Sequence, residues 1–273
     1  MDKRGIVQIV AAAAQNGYLK GFVTGSIFRG RSKQFCVPGL NCYSCPGALG
    51  ACPIGSIQAL AANLSVRVSF YVYGFILLAG VLSGRFVCGY LCPFGLVQEL
   101  LHKIPLKKCR EYAFFRILNK LKYVVLAVLV IGIPTYLTAS GGVGFPAFCE
   151  WICPAGTLEA GIPLVIANSR IRGAVGLLFA WKTAVLLLTV FLAVRMFRPF
   201  CRFVCPLGAL YSLFNRVSAV HIKTERSACG GCGRCVSVCP MNAGGPDSPE
   251  CIRCGKCVQV CASGAKRWSV NRA

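Results

Sequence analysis

Four times along a 273-residue chain a cysteine is followed directly by proline, and each pair opens the same signature: 52-CPIGSIQAL, 92-CPFGLVQEL, 153-CPAGTLEAG and 205-CPLGALYSL. Three of the four have a second cysteine four positions upstream, giving Cys88-x3-Cys92-Pro, Cys149-x3-Cys153-Pro and Cys201-x3-Cys205-Pro. The stretch 85-RFVCGYLCPFGLVQELLHKI aligns with 198-RPFCRFVCPLGALYSLFNRV along its whole length, so the sequence is a duplication. Proline disfavours the α conformation in the residue before it yet suits the first turn of a helix. Each Cys-Pro therefore marks a turn feeding a short helix, whose free N–H groups point back at the sulfurs and favour an anionic group there.

Apolar runs lie between the signatures. The chain is 56% hydrophobic and only 14% charged, against about 25% charged in soluble domains, which predicts an integral membrane protein. Spans are expected at 66–84, 121–138 (kinked at Pro134) and 181–198, each about as long as a hydrocarbon core of about 30 Å requires. A fourth, at 5–28, is interrupted by Gln8, Gln15, Asn16 and Lys20. It reads as a retained helix or as a signal peptide cleaved near Ala11–Ala14. Trp181 and Lys182 read as an interfacial anchor and a snorkelling cation.

The loop 85–122 carries Arg85, Lys103, Lys107, Lys108, Arg110, Arg116, Lys120 and Lys122, whereas 139–173 has only Arg170 and Arg172. The positive-inside rule then places 85–122 and everything after about 199 in the cytoplasm, with 29–63 and 139–173 outside, in a multi-pass protein of the inner (cytoplasmic) membrane. The net charge of +22 comes from 30 Lys and Arg against 8 Asp and Glu. These basic residues flank the apolar runs and face lipid; they do not form the aromatic-rich basic surface of a nucleic-acid-binding module.

Residues 229–261 read CGGCGRCVSVCPMNAGGPDSPECIRCGKCVQVC. The first half is C-x2-C-x2-C-x3-C-P, and the second repeats the spacing with Ala262 in place of the proline. This is the bacterial two-cluster ferredoxin pattern, in which the fourth cysteine of each run ligates the other cluster. One [4Fe–4S] cluster would take Cys229, Cys232, Cys235 and Cys261; the other would take Cys251, Cys254, Cys257 and Cys239. Zinc sites need no such tightly spaced duplicated run. Four thiolates around an oxidised core leave about −2 per cluster, which offsets part of the formal positive charge.

Parallel halves bring like motifs together, so Cys88, Cys92, Cys201 and Cys205 are expected to meet on the inner side as a complete four-cysteine set. The outer side offers Cys149, Cys153 and Cys52, but the position matching Cys149 in the first half is Ala48. Cys42 and Cys45 can compensate, with Cys36 spare or a ligand of its own. A second cluster is the expectation there; disulfides are the alternative if the face is oxidising. Cys109, among Lys107, Lys108 and Arg110, reads as a free surface thiol. The expected fold is an all-α membrane protein of about four helices, built from a duplicated two-helix unit (1–222; halves 1–110 and 111–222). A small α+β ferredoxin domain follows at 223–273.

With C-x3-C-P motifs and a C-terminal two-cluster ferredoxin, the chain resembles the NapH-like membrane subunits of periplasmic nitrate reductase systems. It also resembles the iron–sulfur domains of the nitrous-oxide reductase regulator and of copper-assembly proteins. The resemblance spans about 64–262. It implies electron transfer at the inner membrane, often with a quinol as donor or acceptor, and makes Cys88/Cys92 and Cys201/Cys205 the matches to the family's cytoplasmic motifs. The added outer cysteines depart from it and favour electrons crossing the membrane.

Three functions stay open on the sequence. One is an electron-transfer subunit of a redox complex, working with a soluble ferredoxin or flavoprotein on the cytoplasmic side. The second is a quinone-reactive subunit, its headgroup site near Phe145, Phe148 and Trp151 unless these form an interfacial belt. The third is a redox regulator or metal-site assembly factor. No group for substrate chemistry stands out. The two histidines, His102 and His221, both fall on the cytoplasmic side, which excludes a bis-His haem inside the membrane and leaves nothing evident between the inner and outer clusters.

Overall fold

The computed structural model describes residues 3–63, 70–109 and 114–270. Among these, two helices are long and apolar enough to cross a membrane, Leu121–Ala139 and Leu177–Arg195. Phe70–Ser83 is the described part of the run at 66–84; residues 66–69 lie outside the described residues. The run at 5–28 is not one span. It forms a helix over Lys3–Gln15 and a short one over Lys20–Thr24, because the chain between them turns to pair with another segment. Tyr18 N–H donates to Gly47 O at 3.1 Å, and Gln15 O accepts from Leu49 N–H at 2.9 Å. The last span starts and ends slightly earlier than 181–198.

Each Cys-Pro does open a helix with proline in its first turn: Pro53–Ala61, Pro93–His102, Pro154–Ala167 and Pro206–Phe214. Two of the long elements are widened into π-helical stretches, Leu126–Gly132 and Thr157–Gly161. Each stretch runs into the same Gly-Ile-Pro, at Pro134 and Pro163. Proline has no N–H and crowds the carbonyl a turn earlier; the wider turn relieves that crowding without breaking the helix.

The two spans define the packing. Leu121–Ala139 is flanked by Pro53–Ala61 and Pro206–Phe214, and Leu177–Arg195 by Pro154–Ala167 and Pro93–His102. Each span thus sits between a Cys-Pro helix of one half and a Cys-Pro helix of the other, as the duplication demands. One apolar core runs through the assembly and includes Cys36, Cys52, Cys88, Cys92, Cys153 and Cys205. The outward faces stay apolar and bare, with Leu177, Leu187, Leu188 and Phe191 exposed on one span and Val124, Val128 and Ile131 on the other.

The C-terminal region is α+β. Strand β1 (His221–Thr224), which straddles the 222/223 boundary, pairs antiparallel with β2 (Lys266–Ser269), and the helices Arg234–Ser237 and Lys256–Gln259 lie between. Gly233 and Gly255, at matching places in the two cysteine runs, take φ of 71° and 78°, a conformation open to glycine at little cost.

This domain is fastened to the Cys-Pro helices by buried polar groups. Asn215 accepts from Arg85 N–H and donates to Ser248 O at 2.9 Å and Cys251 O at 2.8 Å. Lys122 meets Glu250 at 2.6 Å. Arg85 and Lys122, which in sequence serve as topology signals, are fully buried at this junction, and Arg198 is fully buried between Cys88 O and Glu99. Trp268 of β2 packs edge-on against Phe86 and Tyr90, which stack on each other at 4.2 Å. The closest approach is at Gly89, where a Cβ would stand 2.3 Å from Ile252 O. Gly89→Ala is therefore expected to force the 248–254 loop off its seat; faster amide hydrogen exchange at Ile252 and Arg253 is the check.

Candidate metal centres

Every pair among Cys88, Cys92, Cys201 and Cys205 lies within electrostatic reach, and these four thiols are the proximal group, next to the ferredoxin domain. Two duplicated contacts hold them. Arg198 donates to Cys88 O, and Arg85 donates to Cys201 O at 3.1 Å, each half capping the carbonyl of the other. Gln98 accepts from Phe200 N–H at 3.2 Å and donates to Cys201 Sγ at 3.1 Å.

Four of the outer cysteines form a second, distal group. All pairs among Cys42, Cys52, Cys149 and Cys153 are again within electrostatic reach. Cys45 turns away, its thiol donating to Asn16 Oδ1 at 3.6 Å, and Cys36 Sγ sits 3.7 Å from Ser56 Oγ. Ala48 does occupy the place equivalent to Cys149: Lys33 caps Ala48 O at 2.8 Å and Lys182 caps Cys149 O at 3.2 Å, as the arginines do in the proximal group. The Lys182 ammonium thus has a partner in the site. Gln58 accepts from Phe148 N–H at 2.9 Å and donates to Cys149 Sγ at 3.0 Å.

These four thiols line a cavity of about 680 Å³ that also takes in Lys33 and Lys182. Burial, with the Glu159 carboxylate beside it, pushes the Cys42 thiol up to about 12; burial and Cys149 push Cys52 up to about 12. As bare thiols both stay protonated at neutral pH, so metal binding must expel protons.

Glycine three residues after each Cys-Pro cysteine is the signal most easily missed in sequence. Gly55, Gly95, Gly156 and Gly208 each aim their N–H at the sulfur of Cys52, Cys92, Cys153 and Cys205. A Cβ on Gly156 would enter the space between Cys42 Sγ (3.7 Å) and Cys153 Sγ (3.9 Å), and one on Gly95 would meet Arg198 Nη1 at 2.8 Å. Among the described residues no three His, Cys, Asp or Glu side chains converge on a point a single ion could occupy. All-thiol donor sets, N–H donors on the sulfurs and glycine where a side chain would intrude fit an anionic iron–sulfur cluster.

In the ferredoxin domain Cys239, Cys254 and Cys257 lie within electrostatic reach of Cys251, and Cys257 is also within reach of Cys235. Cys229 and Cys232 are exposed, with Cys235 and Cys261 half-buried. Cys109 is exposed, as read. His102 packs on Phe197 and Ala193 near Lys256, and His221 opens β1, so both lie at the ferredoxin end. Phe148 is neither belt nor headgroup site. It is fully buried, 6.5 Å from Phe200, which crosses Phe94 edge-on at 5.3 Å.

The proximal and distal groups are not separated. Tyr211 lies within reach of Cys88 and Cys92 on one side and Cys52 and Cys36 on the other, its hydroxyl donating to Pro38 O at 3.0 Å. A Cβ on Gly39 would stand 3.0 Å from Cys92 Cα.

The chain matches the family described as 4Fe-4S binding domain over residues 50–71, 68–110, 123–162 and 176–225, and a second family of that description over 221–244. An uncharacterized protein of Methanocaldococcus jannaschii is 31% identical over 220 residues, 77% of this chain and 72% of that one. The methylamine utilization ferredoxin-type protein MauN of Paracoccus denitrificans is 30% identical over 161 residues, covering 59% and 50%. The ferredoxin-type protein NapH of Haemophilus influenzae is 28% identical over 172 residues, covering 60% and 50%. No solved structure matches.

Proposed function

The chain belongs to the NapH-like family of ferredoxin-type 4Fe-4S proteins, and from that premise we propose that it is a membrane-integral electron conduit with four clusters. Two would sit in the ferredoxin domain, on Cys229, Cys232, Cys235 and Cys261 and on Cys239, Cys251, Cys254 and Cys257. A third would use Cys88, Cys92, Cys201 and Cys205, and a fourth Cys42, Cys52, Cys149 and Cys153, with Cys45 and Cys36 left out. When bound, each cluster takes up and gives back one electron; the chain fixes spacing, surroundings and exclusion of water.

The observation that carries the reading is the unbroken packing between cysteine groups. Cys251 adjoins Ile252, whose carbonyl rests on Gly89 beside Cys88, and Tyr211 shares one packed core with Cys88, Cys92 and Cys52. The bare apolar faces of Leu121–Ala139 and Leu177–Arg195 suit lipid. The charge asymmetry of the loops favours a multi-pass protein with the ferredoxin domain in the cytoplasm. Its partners there would be other subunits of a redox complex and a soluble ferredoxin or flavoprotein.

The test is the full chain reconstituted in sealed liposomes around a trapped, impermeant electron acceptor. Adding an impermeant reductant outside should reduce the trapped acceptor at a rate that falls to background in Cys205→Ser. Equal rates in liposomes with and without the protein would overturn the conduit.

A further inference from the structure

The residue six positions after the Cys-Pro cysteine is Gln58, Gln98, Glu159 or Tyr211, one on each of the four helices. All four reach across to the opposite half. Gln58 and Gln98 do the same thing twice: the side-chain oxygen accepts the N–H just before a cysteine, and the amide nitrogen donates to that cysteine's sulfur, Cys149 and Cys201 respectively. Glu159 takes this place opposite Cys42, its Oε2 accepting Cys42 N–H at 2.7 Å. That oxygen is taken up as an acceptor, and a carboxyl has no N–H to offer a sulfur. The distal group therefore has one amide donor and one carboxyl at these positions, and the proximal group has one amide donor and the neutral Tyr211.

We propose that this position sets the reduction potential of the cysteine group it faces, and that it holds the distal group at the lower potential of the two. The proposal rests on the four-cluster reading above. A donated N–H favours the reduced, more negative state of a thiolate-bound cluster, and a carboxyl in the same place withholds that N–H. The backbone caps act in the same sense. The proximal group has Arg85 and Arg198 fully buried, with Arg4 and Lys122 sharing their carboxylate partners Glu99 and Glu250, so four cations stand with two carboxylates. The distal group has Lys33 and the half-exposed Lys182 with Glu159. An electron arriving at the distal group then runs downhill to the proximal one. The first is oxidised by one electron and the second reduced by one, with no bond made or broken.

The experiment is an EPR-monitored redox titration of the anaerobically purified full chain, with iron and acid-labile sulfide measured on each sample. Cys42→Ser and Cys205→Ser assign the distal and proximal signals. Glu159→Gln gives the distal group a second amide donor and is expected to raise its reduction equilibrium about tenfold, a shift of about 59 mV for one electron. Gln98→Glu removes the proximal donor and is expected to lower that group's equilibrium by a similar factor; Gln98→Leu does so without adding charge and keeps the test open if Gln98→Glu loses iron. In each variant the other group's midpoint should hold.

A wild-type distal midpoint above the proximal one would overturn the proposal. So would fully loaded variants whose midpoints stay still. About eight iron atoms per chain with no membrane-domain signal, the load of two four-iron clusters, would instead sink the four-cluster reading beneath it.

Discussion

Cys42→Ser is expected to lower the iron content of the anaerobically purified protein from about 16 to about 12 atoms per chain, counting four irons per four-cysteine cluster, while Cys45→Ser leaves it unchanged. The two residues share one C-x2-C unit, and by spacing alone either could serve. Their surroundings separate them. Cys42 is within reach of Cys52, Cys149 and Cys153, and its backbone N–H is held by Glu159. Cys45 is directed at Asn16 and lies near Lys33. A hydroxyl is a far poorer ligand for iron than a thiolate, and an assembled cluster contributes strongly to the fold around it. Loss at Cys42 should therefore also loosen the 36–52 loop, seen as faster hydrogen exchange at Val37 and Ala51, whose backbones are paired at 3.0 Å. Equal iron loss in both variants would mean that the loop rearranges when metal binds and that Cys45 shares the site.

The reason the sequence left this choice open is physical. Cys-x3-Cys-Pro fixes both cysteines of a motif within one turn-and-helix unit, so pairing the units of two halves needs only the duplication; the meeting of Cys88, Cys92, Cys201 and Cys205 follows from it. The first outer motif lacks that upstream cysteine. Its substitute comes from a loop whose path depends on contacts between Phe35 and Ala51, Gln15 and Leu49, and Lys33 and Ala48, which are distant in sequence and carry no periodic pattern. The break in 5–28 has the same origin, since the residues that interrupt that helix pair with the loop at 47–49. The role of the buried arginines is hidden in the sequence for a related reason. Arg85 and Arg198 sit where topology signals sit, and only the docked ferredoxin loop and the facing motif reveal that their guanidinium groups cap carbonyls. The glycine three positions after each Cys-Pro cysteine and the residue six positions after it stand in all four copies of the signature. Only the structure shows that the glycines, Gln58 and Gln98 direct N–H groups at sulfurs.

Arg253→Met is expected to release the ferredoxin domain from the Cys-Pro helices while leaving all iron in place. Arg253 is fully buried and gives its guanidinium hydrogens to Ser83 O, Val220 O and Asn215 O, three carbonyls from segments on the other side of the junction. Methionine fills a similar volume but donates nothing, so one buried and two part-buried carbonyls lose this donor at once. Leaving a buried acceptor without its donor costs about 1–3 kcal/mol, and losing three such bonds at once is enough to populate the undocked state. Arg267→Met is the control, because the Arg267–Glu225 pair is mostly exposed and contributes almost nothing. Two readouts follow. Limited proteolysis between Phe214 and His221 should free the tail in Arg253→Met and not in Arg267→Met. The magnetic interaction between the reduced proximal group and the cluster on Cys251 should disappear from the EPR spectrum, since its route through Ile252 and Gly89 depends on the docked loop. A spectrum that keeps the interaction would mean that Asn215, Lys122 and the Trp268 stack hold the domain unaided; electron passage from ferredoxin to membrane domain would then not depend on Arg253.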